Sequence, residues 1–150
     1  MEWSRYLEDT FEAVIQTSTF PRSQLDIFVE ISNADGSVLA AAFNAITLAL
    51  LDAGIPMDDY IVAGAVSYVQ GQYLLDPNRL EETAASPVLV IAMQPRRQVI
   101  SFMNSELRLA HDKLPAMIDV AKRGVMRVFD QLDNDVVRPH LFSLLEKRNK

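Results

Sequence analysis

The N-terminal part of the chain shows helical spacing of apolar residues, followed by alternation typical of a strand. The apolar positions of the first segment are Trp3, Leu7, Phe11, Val14 and Ile15. Their three- and four-residue steps predict a helix over residues 3–16. After Pro21, the stretch 25-LDIFVEI-31 alternates apolar residues with Asp26 and Glu30. This period predicts a strand that lies with one face on a core.

A second helix is predicted from Ser37 to Leu51, after the turn 33-NADG-36. It is apolar nearly all round, and Gly54 and Pro56 mark its end. We expect the Ser37 side chain to cap this helix by accepting hydrogen bonds from its free amides. Because no polar face remains, the helix is expected to be covered on most sides by a sheet and by another subunit.

The remaining pattern predicts three strands and a long helix. The strand runs are 60-YIVAGAVSYV-69, 87-PVLVIAM-93 and 98-QVISFM-103. Between the first two, residues 71–86 are predicted to form an acidic loop rich in small residues. An amphipathic helix is predicted from about Asp112 and continues past Pro139. This order indicates an α+β layer, with helices on one side of a mixed sheet.

Composition limits the classes of function. A chain of 150 residues is long enough for one domain with a core. Its net charge of −6, from 14 basic and 20 acidic residues, lacks the basic excess of an isolated nucleic-acid-binding domain. Any RNA contact is therefore expected to be local or shared with partner chains. The sequence contains no cysteine and no apolar run near the roughly 20 residues of a membrane span, so we expect no membrane partner.

Few residues suggest metal or cofactor chemistry. His111 and His140 are the two histidines, and we expect both to face solvent. The acidic residues Asp76, Glu81 and Glu82 suit Mg²⁺, but a solvated loop is the favoured interpretation. We therefore expect no metal and no cofactor.

Two places could contact an anion. The 36-GS-37 turn precedes the amides of the second helix, which can receive an anion, although a plain cap is favoured. Arg96 and Arg97 follow Pro95, and guanidinium groups bind phosphate bidentately. A charged hairpin tip is the favoured alternative for this arginine pair.

Several stretches match a known family in order: 21-PRSQLDIFVEI-31, 34-ADGS-37, 44-NAITLALLDAGIPM-57, 75-LDPNRLEE-82 and 94-QP-95. Through them the chain resembles the RNase PH-like ring subunits of the eukaryotic RNA exosome. The resemblance covers nearly the whole chain and is most specific from Asn33 to Met57. It implies an RNase PH fold, which is similar to ribosomal protein S5 domain 2. Residues 1–150 would form a single domain, the second half of the usual one, with the N-terminal half lacking.

The resemblance also implies partners and a location. The partners would be other RNase PH-like ring subunits, S1/KH-type cap subunits, associated catalytic ribonucleases and RNA. The location would be the nucleus, nucleolus and cytoplasm. Contacts with RNA or with a partner are expected at Arg22, Arg96 and Arg97.

Finally, the resemblance assigns active-site positions. Phosphorolytic members hold phosphate with a G-G-T-R-like turn, whose counterpart here is Gly36, Ser37, Val38 and Leu39. The arginine position is thus Leu39.

Two catalytic aspartate positions correspond to Thr83 and Leu89. Phosphorolysis needs cations or a metal to neutralise clustered negative charge. We therefore predict a non-catalytic scaffold. The alternative is an active phosphate-dependent 3′-exoribonuclease that uses Ser37 for phosphate and the acidic residues at 76, 81 and 82 for metal.

Overall fold

The computed structural model describes residues 2–83, 86–105 and 110–148. Within them lie the helices α1 (Glu2–Glu12), α2 (Val38–Asp52), α3 (Arg79–Thr83), α4 (Leu114–Gln131) and α5 (Arg138–Arg148). The strands are β1 (Val62–Val69), β2 (Gln72–Leu75), β3 (Val88–Gln94) and β4 (Val99–Ser105). A 3₁₀ turn follows α1 at Thr17–Thr19, and a π-helical segment, Leu132–Val137, joins α4 to α5. No helix in these ranges is long and apolar enough to cross a membrane.

The four strands form one sheet in the order β2-β1-β3-β4. Each neighbouring pair is antiparallel, and β1 pairs with β3 from Val62↔Met93 to Ser67↔Val88. The expected mixed sheet is therefore wrong, because all the described pairings are antiparallel. The three predicted strands are confirmed, and residues 71–86, predicted to be a loop, contain β2 and α3.

Helices cover both faces of the sheet, whereas the sequence predicted helices on one side only. On one face, α2 packs against β1 and β3, and α1 packs against β4. The cluster on this face includes Phe11, Leu39, Phe43, Ile46, Ala63 and Ala65. On the other face, α4 packs in a cluster that includes Val62, Val66, Leu89, Ile91, Met93, Met117 and Val125. Successive residues of β1 and β3 are apolar because both faces of these strands are buried. The α+β class is confirmed.

The predicted strand at residues 25–31 is wrong. This stretch has no regular secondary structure, and within the described chain it pairs with no strand. Leu25, Ile27, Val29 and Ile31 are 40–49% exposed, and Phe28 is 92% exposed. A strand requires hydrogen bonds to a neighbour, and alternation of side chains cannot supply that neighbour.

The three helix predictions are confirmed, with small shifts in where each helix begins or ends. Helix α1 ends at Glu12, but Val14 is buried and Ile15 forms an isolated bridge with Met57, so the predicted apolar face extends past the helix. Helix α2 ends before Gly54, as expected. The long C-terminal helix begins at Leu114, continues through the π-helical segment and passes Pro139 within α5.

Candidate functional site

The N-terminus of α2 lies against residues 77–78. Gly36, just before the helix, has φ of +88°, and a Cβ built there would lie 2.2 Å from the carbonyl oxygen of Pro77. Only glycine combines this backbone conformation with so close an approach. The turn that resembles a phosphate-binding loop is therefore closed on one side by another part of the chain.

Ser37 does not cap α2 with its side chain, so that prediction is wrong. Its backbone is left-handed, with φ of 51° and ψ of 25°, whereas a capping serine normally has β-region angles. The Ser37 hydroxyl instead donates to the carbonyl oxygen of Pro77 at 3.2 Å. Its backbone N–H donates to Oε1 of Glu82 at 2.8 Å. A carboxylate thus occupies the anion position at the positive end of α2.

Glu82 reaches this position because α3 is fixed by a capping box. Oδ1 of Asn78 accepts hydrogen bonds from the N–H groups of Leu80 and Glu81, both at 3.0 Å. Oε2 of Glu81 accepts from the N–H of Asn78 at 2.8 Å. The Asn-x-x-Glu spacing at 78–81 is a sequence signal for a helix start that the loop prediction overlooked.

The acidic residues do not assemble as a metal site in the described chain. Glu81 and Glu82 each accept a backbone N–H, and Asp76 is exposed. Among the described residues, no group of three or more carboxylate or imidazole side chains is placed to hold a metal ion.

A cavity of about 120 Å³ lies at the start of α2. The described residues that line it are Trp3, Ser37, Val38, Leu39, Glu82, Ser86, Val88, Val90 and Asn104. Glu82 is the single charged residue among them. Leu39, at the arginine position, is 5% exposed and packs in the cluster with Phe43. The described lining therefore offers a phosphate no cation.

The two positions assigned to aspartates do not meet at this cavity in the described chain. Leu89 is 1% exposed and packs on the opposite face of the sheet, against α4. Its neighbours Val88 and Val90 face the cavity instead. Thr83 ends α3, but its side chain lies outside the described part of the structure.

Arg96 and Arg97 lie in the predicted turn, and the buried side chain of Asp59 binds the backbone of this turn. Oδ2 of Asp59, a residue 3% exposed, accepts from the N–H groups of Arg96 at 3.1 Å and Arg97 at 3.2 Å. The Arg96 guanidinium stacks 4.9 Å above the ring centre of Tyr60. Nη2 of Arg97 lies 4.0 Å from Oδ2 of Asp58. Asp58 and Asp59 therefore offset the positive charge of the arginine pair.

Arg22 lines a cavity beside α1 together with Glu8 and Glu12. No contact recorded for the described residues joins it to the arginine pair of the 95–98 turn. The three arginines expected to bind RNA or a partner therefore do not form one basic patch in the described structure.

The histidines have different surroundings. His111 is exposed in the turn before α4, as expected. The expectation for His140 is wrong, because Nε2 of this half-buried residue lies 2.8 Å from Oδ1 of Asp52 at the end of α2. This contact places the start of α5 beside the end of α2.

Sequence reasoning missed Asn44, which completes the edge of the sheet. Its Oδ1 accepts from the N–H of Ala63 at 2.8 Å, and its Nδ2 donates to the Ala63 carbonyl at 3.0 Å. One rung earlier, the N–H of Asp76 donates to the carbonyl of Ala65 at 2.9 Å. In the β1–β2 register, Asn78 would be the residue opposite Ala63, but its N–H donates to Oε2 of Glu81, and the Asn44 amide pairs with Ala63 instead.

The four-stranded antiparallel sheet with helices on both faces is an α+β architecture. Family models described as 3′ exoribonuclease family, domain 1 and domain 2, match residues 1–56 and 59–124. The chain thus belongs to the RNase PH, or 3′ exoribonuclease, family, as the sequence resemblance indicated.

Named relatives agree with this assignment. The chain is 42% identical over 140 residues to exosome complex component RRP41 of Bos taurus, covering 93% of this chain and 57% of that protein. It is 33% identical over 144 residues to exosome complex component Rrp41 of Archaeoglobus fulgidus, covering 94% and 56%. The crystal structure of rice Rrp46 matches with a TM-score of 0.80 at 21% identity, covering 89% of this chain and 63% of that chain. This chain spans little more than half the length of these curated relatives.

Proposed function

We propose that the chain is a non-catalytic structural subunit of an exosome core ring that supports 3′-to-5′ RNA processing and degradation. Exosome membership is supported by the names of the eukaryotic and archaeal relatives. The non-catalytic role rests on one observation, the 2.8 Å hydrogen bond from the Ser37 N–H to the Glu82 carboxylate.

This hydrogen bond opposes phosphate binding in two ways. It uses a helix amide that would otherwise be directed at the phosphate. It also places a negative charge where phosphate would sit, and two unit charges about 4 Å apart repel by roughly 4 kcal/mol at an effective dielectric constant of about 20. Leu39 is buried in the core and supplies no compensating charge. The site therefore favours a role in assembly over phosphorolysis.

In this proposal the subunit works through contacts. Its partners are other RNase PH-like ring subunits, S1/KH-type cap subunits, associated catalytic ribonucleases and RNA, in the nucleus, nucleolus and cytoplasm. The chain itself needs no cofactor. In this proposal, residues 1–150 form a single RNase PH-like domain without the N-terminal half of the usual one. The proposal is supported by β1 and β3, which contribute to the cores on both faces of the sheet.

Arg96 and Arg97 are the proposed contacts with RNA or a partner, together with Arg22. Arg97 supports this role because its side chain is 56% exposed and its ion-pair distance of 4.0 Å is long. The planar stack of Arg96 on Tyr60 offers a surface on which a base can stack.

The test is a phosphorolysis assay on the purified chain, alone and assembled with its co-purifying ring subunits. Single-stranded RNA, Mg²⁺ and inorganic phosphate are supplied, with an active phosphorolytic ribonuclease as the positive control. We expect no release of nucleoside diphosphates by the chain. Phosphate-dependent release that is lost in Ser37→Ala would establish the alternative, an active exoribonuclease.

Ring membership has a separate test. An affinity-tagged copy purified from its own cells is expected to bring RNase PH-like ring subunits with it, as identified by mass spectrometry. Recovery without any of these subunits would contradict the assembly role, whatever the phosphorolysis assay shows.

A further inference from the structure

The carboxylate of Asp59 binds three backbone N–H groups. Its Oδ1 accepts from the N–H of Tyr60 at 2.7 Å, and its Oδ2 accepts from the N–H groups of Arg96 at 3.1 Å and Arg97 at 3.2 Å. Asp59 is 3% exposed, so these hydrogen bonds are shielded from water. Hydrogen bonds to a charged acceptor are stronger than neutral ones, and burial strengthens them further. The turn between β3 and β4 is therefore fixed to the residues that precede β1.

Tyr60, the residue after Asp59, supports the side chain of Arg96. The guanidinium carbon of Arg96 lies 4.9 Å from the centre of the Tyr60 ring. The same ring contacts Phe129 of α4 in an edge-to-face arrangement, with ring centres 6.0 Å apart. A guanidinium that is already stacked loses little further freedom when it binds a second planar group. The plane of Arg96 is thus oriented before any ligand binds.

Arg97 provides a positive charge next to this stack. Its side chain is 56% exposed, and its Nη2 lies 4.0 Å from Oδ2 of Asp58, a long distance for an ion pair. Oδ1 of Asp58 accepts a shorter hydrogen bond from Nε2 of Gln16, at 2.8 Å. An ion pair this exposed is weak. A phosphate, which accepts two parallel hydrogen bonds from a guanidinium, can therefore replace Asp58 as the partner of Arg97.

A stacked guanidinium and an adjacent exposed one match the two parts of a nucleotide. A nucleobase stacks on the plane of a guanidinium, and the phosphate carries the charge opposite to that of Arg97. A carboxylate side chain of an acidic peptide binds a guanidinium through its edge, so it makes no use of the stacked face of Arg96. The stack on Tyr60 therefore favours single-stranded RNA over an acidic peptide.

We propose, on the basis of the proposed function in which RNA is a partner, that the turn at residues 95–98 binds one nucleotide of single-stranded RNA. The base stacks on Arg96, and a phosphate pairs with Arg97. Asp59 and Tyr60 are the positioning residues of this site. Asp59 fixes the backbone of both arginines, and Tyr60 fixes the plane of the Arg96 guanidinium.

Fluorescence anisotropy on the whole chain, with a labelled single-stranded oligoadenylate, measures the contacts of the two arginines. The matched probe is an abasic ribose-phosphate oligomer of the same length. Arg96→Ala is expected to weaken oligoadenylate binding by at least roughly fivefold, and binding of the abasic probe by less. Arg97→Ala is expected to weaken both probes alike and to lower the slope of log affinity against log salt by about 0.7. Arg5→Ala, at an exposed arginine of α1, is the control and should leave both affinities nearly unchanged.

Tyr60→Leu tests the positioning role of the ring, and Tyr60→Phe is its conservative control. Binding of oligoadenylate is expected to fall in Tyr60→Leu and to be retained in Tyr60→Phe, because the aromatic face supports Arg96. For Asp59→Asn, the loss of affinity is expected to be less than additive with that of Arg96→Ala, since both act on one contact. Strictly additive losses, or equal binding by both Tyr60 variants, would remove the positioning role and leave the arginine contacts standing.

Two further outcomes overturn RNA as the ligand. The first is unchanged oligoadenylate binding in both Arg96→Ala and Arg97→Ala, or no binding by the native chain. The second is stronger competition by a polyglutamate peptide than by unlabelled oligoadenylate, which would identify an acidic protein as the partner of this turn. Neither result bears on exosome membership, because co-purification with ring subunits tests that part of the proposed function separately.

Discussion

Strand β3 and residues 25–31 are both short, apolar and rich in β-branched side chains. In β3, Leu89, Ile91 and Met93 are at most 1% exposed, whereas Leu25 and Ile27 are 40% and 41% exposed. β3 has β1 and β4 on its two edges and helices on its two faces. The segment has no strand on either edge in the described chain. The neighbouring strands and helices, rather than the residue composition, therefore determine whether such a stretch becomes a central strand.

Matched truncations should give the largest difference between the two regions. Ile91→Ala is expected to lower the free energy of unfolding by about 2–5 kcal/mol, because the side chain is 0% exposed and leaves a cavity. Ile27→Ala is expected to cost less than about 1 kcal/mol, since its side chain already lies partly in water. Urea denaturation followed by circular dichroism measures both. Equal losses would mean that residues 25–31 are packed as a strand in solution.

Asn44 sharpens the comparison, because its side chain pairs with the backbone of Ala63, which has no strand partner on that edge in the described chain. Asn44→Ala removes two hydrogen bonds and leaves the N–H and C=O of Ala63 unpaired, with an expected cost of about 1–3 kcal/mol. Ala49→Gln on the exposed face of α2 is the control, and its effect should stay within about 0.5 kcal/mol. An Asn44 variant as stable as this control would show that water can replace the two hydrogen bonds of the Asn44 side chain.

Glu82 connects α3 to the start of α2, through the hydrogen bond that its carboxylate accepts from the Ser37 N–H. Glu82→Ala removes the acceptor of the Ser37 N–H, and we expect a loss of about 1–2 kcal/mol in unfolding free energy. Inorganic phosphate should then raise the melting temperature of the variant and leave the native chain unchanged. The control is Glu2→Gln at the exposed N-terminus. Equal stabilisation of both proteins by phosphate would contradict the occupied anion position.

The smallest effect on stability is expected at Phe28. Phe28→Ser should change the free energy of unfolding by less than about 0.5 kcal/mol, because the side chain is 92% exposed. The same change should reduce binding of a hydrophobic dye and any self-association seen in light scattering. A large loss of stability would place Phe28 in a contact that the described structure lacks.

The candidate site was predictable only in part. The Arg96–Arg97 turn and the start of α2 follow from local residue types. The Asn78–Glu81 capping box also follows from the local sequence, although the loop prediction overlooked it. The hydrogen bond from the Ser37 N–H to Glu82 could not be predicted, because these residues are 45 positions apart. Nothing in a local window connects them.

The sequence by itself determined α1, α2 and the long C-terminal helix, the three apolar strands and membership of the RNase PH family. These depend on local spacing and on motifs such as residues 33–57. Only the tertiary structure decided that helices cover both faces of the sheet, that Leu89 lies away from the candidate site and that residues 25–31 pair with no strand of the described chain. The physical reason is that hydrogen-bond partners and the elements that cover a buried face come from distant segments. The apolar periodicity of a segment therefore predicts which of its residues can be buried, but it does not predict which other segment covers them.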